Sequence, residues 1–147
     1  NSSKNKSIKG IGLLPLKTIF KKTKITRRLN CYANWPFVTQ VEGFEIHNGI
    51  TEILKKEGEE KLKSMFKENK LGWYIDKKEK GSIAGSYIHG LFENDKWRIS
   101  YLNLIKDKKG IQVLDKKQIP YKIKREAIIN NLASEFKKHI NIMSLLN

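Results

Sequence analysis

The sequence predicts an α/β domain: a few strands, at least two of them paired as an antiparallel hairpin, with two helices at the C-terminal end. The hairpin is predicted by the apolar segments 71–76 (LGWYID) and 82–89, because a polar turn, DKKEKG, separates them. The helices are predicted by apolar residues that recur every three or four positions after Asp95 and again after Pro120. A chain of 147 residues is long enough for one domain with a core.

The segments before the hairpin predict a turn, a strand and a surface loop. The apolar run 11–16 contains a proline and is too short for a helix, which suits a turn into a buried strand. Residues 24–33 alternate in polarity, which predicts a half-exposed strand with Cys31 on its inner face. Residues 51–70 are charged and interrupted by Gly58, which favours a surface loop with some helical character. One parity of the predicted strand comprises Ile25, Arg27, Leu29, Cys31 and Ala33.

Segment 41–49 (VEGFEIHNG) predicts a second strand, with Phe44 and Ile46 on one face and Glu45 and His47 on the other. Two ionisable side chains at positions i and i+2 therefore share a face. Such a pair can hydrogen-bond a ligand or a neighbouring loop, and the residues alone leave both interpretations open.

Each predicted helix has a start signal and an apolar stripe. The first begins at Asn94 or Asp95 and ends near Gly110, and the second follows Pro120. His139, near the end of the second helix, is predicted to have a structural role. The first stripe is formed by Trp97, Tyr101, Leu104 and Ile105. The second stripe, by which we expect the last helix to dock, is formed by Ile128, Ile129, Leu132, Ala133, Phe136 and Ile140.

The net charge of +15, from 30 basic and 15 acidic residues, raises the possibility of a nucleic-acid partner. Only four of the basic residues are arginine, the side chain favoured for bidentate recognition of phosphates and bases. The lysines are spread along the whole chain. This pattern favours a generic basic surface, and a small lysine-rich nucleic-acid-binding protein remains the alternative.

The composition favours a soluble cytoplasmic protein without a membrane partner. No segment approaches the apolar length of a bilayer span, and the opening NSSKNKSIKG lacks the apolar core of a signal peptide. A single cysteine, Cys31, cannot form an internal disulfide, which agrees with a reducing compartment. Residues 1–9 are expected to be a disordered or truncated start, and residues 10–147 to form the domain.

The candidate chemical groups are few. No GxxxxGK[ST] loop is present, and the histidines and the cysteine lack the paired spacings of metal sites, so no metal is predicted. Cys31 lies within an alternating strand without flanking glycines, which favours a small hydrophobic residue over a nucleophile. His89 lies at the end of a predicted strand and before Gly90, where it can reach a ligand or have a purely structural role.

Four motifs resemble the C-terminal half of the glutaminase domain of the cobyric acid synthase family, in the same order, from about residue 9 onward. The motifs are IGLLPLKTIF (11–20), GFEIHNGIT (43–51), GSYIHGLFEND (85–95) and REAIINNLASEFKKHI (125–140). The resemblance implies part of a flavodoxin-like sheet of the class I glutamine amidotransferase type. It also implies amidation of adenosylcobyrinic acid a,c-diamide in cobalamin biosynthesis, with glutamine and ATP-Mg.

The resemblance also implies roles for individual residues. His89 matches the catalytic histidine, which deprotonates a cysteine nucleophile and later protonates the departing ammonia. Glu45 and His47 match a segment placed near the glutamine site, so they are expected to bind substrate. Many class I relatives carry a glutamate two residues after this histidine, whereas this chain has Leu91.

In the family, the nucleophile and the ATP-binding domain precede the IGLLPL segment. The resemblance therefore implies that this chain binds no cofactor itself, and that ATP, Mg, glutamine and the corrinoid are bound by the full-length enzyme. Its expected partner is the preceding segment or a split subunit, and without it we expect an open sheet edge and an uncovered apolar face. An inactive remnant of a synthase is a further alternative.

Overall fold

The computed structural model describes residues 7–54, 62–68, 70–77, 81–114 and 119–140. They fall into two compact units, Asn1–Leu91 and Phe92–Asn147, and strands are found in the first and α-helices in the second. This confirms the predicted α/β class. Part of the predicted start, residues 1–6, lies outside the described residues. The strands are β1 (Leu16–Ala33), β2 (Thr39–Ile53), β3 (Lys63–Ser64), β4 (Gly72–Asp76), β5 (Ser82–Ser86) and β6 (Ile88–His89). The helices are α1 (Asp95–Lys108) and α2 (Tyr121–His139).

The first sheet has the order β1-β2-β6, and both of its pairings are antiparallel. Strand β1 begins at Leu16, well before the predicted start at residue 24, because its first residues pair with the end of β2. The side chains there are mostly exposed, and Phe20 is 82% exposed. Backbone pairing to β2, with a hydrogen bond between the side chains of Thr18 and Thr51, therefore holds this part of the strand. Because it has no continuous buried face, it shows no alternation of polarity to detect.

Strand β6 approaches β2 very closely at Gly43. A Cβ atom at position 43 would lie 2.4 Å from the carbonyl oxygen of His89 and 2.5 Å from Cγ2 of Ile88. These distances are shorter than a van der Waals contact, so a larger residue would displace β6. Glycine inside a strand often marks such a close backbone approach.

The second sheet has the order β3-β4-β5, also antiparallel. The β4–β5 pair confirms the predicted hairpin, although residues 78–80 of its turn lie outside the described residues. The prediction of helical character in 51–70 is wrong for the described part, which contributes to β2 and forms β3. Buried Met65 and Phe66 explain this difference, since they anchor the segment beside the end of β1. Residues 55–61 and 69 of this segment lie outside the described residues.

The predicted single strand 82–89 is divided at Tyr87. Residues up to Ser86 pair with β4 in the second sheet, whereas Ile88 and His89 pair with β2 in the first. The chain therefore passes from one sheet to the other at a single residue. A continuous apolar run does not reveal such a division, because both halves are partly buried.

The unit Phe92–Asn147 confirms both predicted helices. Helix α1 follows Asn94 and ends before Gly110, whose φ of +62° suits glycine. The aromatic rings of Phe92, Trp97 and Tyr101 contact one another at centroid distances of 5.1–5.5 Å. The carboxylate of Asp95 accepts the backbone N–H of Tyr121 at 2.9 Å, which ties the start of α2 to the start of α1.

Helix α2 buries none of its described residues. Its apolar stripe is exposed, with Leu132 at 68% and Ile128 at 67%. The prediction that α2 docks by this stripe is therefore wrong for the described chain. The pattern predicts the helix and its apolar face correctly, but docking also requires a complementary apolar surface. No helix among the described residues has the length and apolarity needed to cross a bilayer.

Candidate functional site

His89 ends strand β6 and is exposed to solvent. It lies directly opposite Phe44 of β2, and Gly90 follows with a φ of +78°, which turns the chain immediately after the imidazole. This places an accessible imidazole at a strand end, as the sequence predicted. Such a position suits a proton-transfer group, because a reactant can approach the ring from solvent.

Glu45 and His47 lie together on the buried face of β2. Glu45 is 4% exposed, and its two carboxylate oxygens accept hydrogen bonds from Arg27 Nε at 2.6 Å and His47 Nε2 at 2.8 Å. Arg27 lies across from Glu45 on β1, so the two strands supply opposite charges to one cross-strand pair. The predicted sharing of a face by Glu45 and His47 is confirmed.

The hydrogen bonds around Glu45 determine its charge. Burial raises the pKa of Glu45, but the hydrogen bonds from His47 and Arg27 and the nearby guanidinium charge outweigh it and hold the pKa below its ordinary value. An ionised carboxylate only accepts hydrogen bonds, so Nε2 of His47 carries the shared hydrogen. The other ring nitrogen of His47, Nδ1, is buried and has no partner among the described residues.

We expect the chain to be less stable at acidic pH, because Glu45 becomes protonated there. A carboxyl group whose pKa is lowered by folding stabilises the folded state above the unfolded-state pKa, and this contribution is lost as the pH falls through the folded-state pKa. The free energy of unfolding should therefore decrease from about pH 5 downward. Urea unfolding at a series of pH values should show a smaller decrease in Glu45→Gln, and an unchanged decrease would contradict the assignment.

Tyr87 connects this pair to a cluster of hydroxyl groups. Its ring stacks on His47 with a centroid distance of 4.0 Å and contacts Trp73 edge-on at 6.2 Å. Its hydroxyl shares a hydrogen bond with Thr51, which shares another with Thr18 at 2.7 Å. A cavity of about 190 Å³ lies beside the cluster. It is lined by Leu16, Thr18, Thr51, Trp73, Gly85, Ser86 and Tyr87.

The structure does not bring His89 together with Glu45 and His47. Residues directly opposite in an antiparallel pair share a face, so His89 lies on the face of Phe44, which alternates with that of Glu45. The burial of β2 agrees, since Glu45 is buried and Phe44 is exposed. We call the face of His89 and Phe44 the outer face, and the face of Glu45 the inner face.

Cys31 lies on the inner face, because it is paired with Val41 of β2. It is 3% exposed, and burial, with a smaller contribution from Glu68, raises the pKa of its thiol to about 11. A thiol in this state is protonated at neutral pH and is a poor nucleophile. The prediction of a small hydrophobic residue is confirmed, and the face assignment separates Cys31 from His89.

Sequence reasoning assigned no role to Arg27, Thr18, Thr51 or Tyr87. Arg27 shares its parity with Cys31, so an arginine on the inner face was a usable signal for a buried acidic partner. Tyr87 lies in an apolar run and gives no comparable signal. Among the described residues, no group of three or more His, Cys, Asp and Glu residues could hold a metal ion.

Comparison with known proteins defines the class of the protein. A model of the CobB/CobQ-like glutamine amidotransferase domain matches residues 1–97, and the chain belongs to this family. The chain has strands in one unit, two α-helices in the other, and an antiparallel hairpin, β4–β5. These features are consistent with part of such a domain.

Three relatives that align with almost the whole chain are named cobyric acid synthase. One from Prochlorococcus marinus (strain AS9601) is 56% identical over 95% of this chain and 28% of the relative. One from Prochlorococcus marinus subsp. pastoris (strain CCMP1986 / NIES-2087 / MED4) is 57% identical over 97% of this chain and 28% of the relative. One from Synechococcus sp. (strain CC9311) is 38% identical over 99% of this chain and 29% of the relative. The chain thus spans less than a third of the length of these relatives. No solved structure matches it.

Proposed function

We propose that the chain is a segment of a cobyric acid synthase and that His89 is the catalytic histidine of its glutaminase site. The full-length enzyme would amidate carboxylates of adenosylcobyrinic acid a,c-diamide with nitrogen from glutamine, using ATP. The observation that carries the proposal is the exposed imidazole of His89 at the end of β6, within the motif GSYIHGLF. The relatives of the same name support the choice of enzyme.

In this proposal His89 acts as a general base and then as a general acid. It takes the proton from a cysteine thiol, and the thiolate attacks the side-chain amide carbon of glutamine. The protonated imidazole gives that proton to the departing nitrogen, which leaves as ammonia and leaves a thioester. Water, deprotonated by the same imidazole, then hydrolyses the thioester to glutamate and the free thiol.

The nucleophile in this proposal belongs to a part of the enzyme outside this chain. Cys31 is unsuitable because it is buried on the inner face and its thiol has a pKa of about 11, whereas His89 lies on the outer face. The short span of the match supports a nucleophile located elsewhere in the enzyme, since the chain corresponds to only about 28% of a relative's length. The outer face next to His89 is where the thiol would approach.

Substrate binding by Glu45 and His47 stays a prediction. Each oxygen of Glu45 accepts one hydrogen bond, from Arg27 or from His47, so a glutamine contact would use a remaining acceptor site of the carboxylate or Nδ1 of His47. A small lysine-rich nucleic-acid-binding protein and an inactive remnant of a synthase stay the alternatives. The cytoplasmic location and a preceding segment or split subunit as partner stay predictions.

A chimeric synthase tests the proposal. In the Prochlorococcus marinus AS9601 relative, the segment that this chain matches would be replaced by this chain, and glutamine-dependent amidation of the corrinoid would be measured. We expect the chimera to be active, because the two segments are 56% identical. A chimera that folds and amidates with added ammonia, but cannot use glutamine, would contradict a functional glutaminase segment.

A further inference from the structure

We propose that Tyr87 is a positioning residue for His89, and that it acts through its hydroxyl contact with Thr51. This inference rests on the proposed function of His89, and it identifies the residue that fixes the position of the imidazole. Three features support it: the short pairing of β6, the contacts of Tyr87 with both sheets, and the position of Tyr87 directly before β6.

Strand β6 alone is a weak support for a catalytic group. It consists of Ile88 and His89 only, and each is paired with a single residue of β2. Gly90 follows at once with a φ of +78°, so no regular strand continues beyond His89. A pairing of this length fixes the register weakly, and catalysis requires the reacting groups to be placed precisely.

Tyr87 immediately precedes β6 and is anchored to the second sheet through its backbone. Its N–H donates to the carbonyl oxygen of Leu71 at 2.8 Å, and the hydroxyl of Ser86 donates to the same oxygen at 3.1 Å. The N–H of Ile88 then donates to the hydroxyl oxygen of Ser86 at 3.0 Å. These bonds fix the backbone just before β6, where the chain leaves β5.

The side chain of Tyr87 is anchored to the first sheet. Its hydroxyl bonds to Thr51 of β2, which bonds to Thr18 of β1, and its ring stacks on His47. His47 is held in turn by the buried Glu45 carboxylate. The residue two positions before His89 is therefore attached to the same strand with which β6 pairs, so it sets the position of β6 on that strand.

The contacts of Tyr87 lie among residues of the inner face, whereas His89 lies on the outer face. Tyr87 is therefore placed to act on His89 through the position of β6. Loss of its hydroxyl should lower kcat for glutamine hydrolysis without raising KM for glutamine, because the hydroxyl is bonded to Thr51 and the ring that stacks on His47 is kept in Tyr87→Phe.

The test compares Tyr87→Phe, Thr51→Val and the double variant in the active chimera. We expect each single variant to lower kcat for glutamine hydrolysis by about 10- to 100-fold, with KM unchanged and amidation from added ammonia retained. The double variant should be no slower than the slower single variant, because both substitutions remove the hydrogen bond between Tyr87 and Thr51, and the bond between Thr51 and Thr18 is already lost in Thr51→Val. Tyr74→Phe is the matched control. Tyr74 is a half-buried tyrosine on β4 that stacks on Trp35, and its substitution should leave full activity.

Additive effects of the two substitutions, an unchanged kcat in Tyr87→Phe, or an equal loss of ammonia-dependent activity would overturn the positioning role. A His89→Ala variant of the same chimera separates this result from a failure of the proposed function. If His89→Ala abolishes glutamine hydrolysis while Tyr87→Phe leaves it intact, only the positioning role is wrong. If His89→Ala retains hydrolysis, the catalytic assignment is wrong and the positioning role fails with it.

Discussion

Replacing His89 with alanine in the active chimera should lower kcat for glutamine hydrolysis by about 100- to 10,000-fold, the usual contribution of a general acid–base residue. The loss is expected to be large because the same imidazole serves both the attack of the thiol and the departure of ammonia. Amidation from added ammonia should be retained, since free ammonia bypasses glutamine hydrolysis. Ammonia release and corrinoid amidation, measured separately, check both halves of this prediction.

His139→Ala is a suitable control for this experiment. His139 is an exposed histidine near the end of α2, where it lies 3.9 Å from Glu135. The substitution removes the same chemical group from a position with no proposed role in the reaction, so hydrolysis should be unaffected. Equal losses in the two variants, or retention of hydrolysis in His89→Ala, would contradict the assignment of His89.

The second large effect concerns stability. Glu45→Ala should lower the free energy of unfolding by about 2–3 kcal/mol, because it removes two charge-assisted hydrogen bonds from a buried position. Loss of the hydrogen bond to Arg27 contributes little to this change, since the Arg27 side chain is 59% exposed and its guanidinium can be hydrated instead. His47 has no such alternative, because its side chain is only 13% exposed. Urea unfolding of the chain at pH 7 measures the change.

Glu42→Ala is the matched control on the same strand. Glu42 pairs with Arg28 at 3.6 Å, but both side chains are exposed, and such surface pairs contribute about 0–1 kcal/mol. We therefore expect a small change for Glu42→Ala and a large one for Glu45→Ala. Similar changes in the two variants would show that the buried network contributes no more than a surface ion pair.

The faces of β2 illustrate how far the sequence determines the site. The alternation in 41–49 correctly predicts that Glu45 and His47 lie together and that Phe44 lies on the other face. It does not predict that the face with the charged pair is the buried one, since burial of Glu45 depends on Arg27, which lies 18 residues earlier in the chain. The link between Arg27 and Glu45 is a cross-strand contact, and its register is set by the antiparallel pairing of β1 with β2 as a whole.

The division of 82–89 illustrates a second limit. The apolar run correctly predicts strand structure and places His89 at a strand end. The exchange of partners at Tyr87 depends on which backbone groups remain unpaired in the two sheets, and apolar periodicity carries no information about them. The anchoring role proposed for Tyr87 was therefore not accessible from the sequence, although the residue lies next to the motif that identified His89.

The close approach at Gly43 has a consequence for how this domain tolerates substitution. Even one extra methyl group at position 43 would collide with the main chain that carries the imidazole. The hydrogen atom that glycine bears instead leaves just enough space for β6 beside the β1–β2 pair. Mutational tolerance at this position should thus be governed by the geometry of a neighbouring segment more than 40 residues away, and hardly at all by the strand preference of the residue placed there.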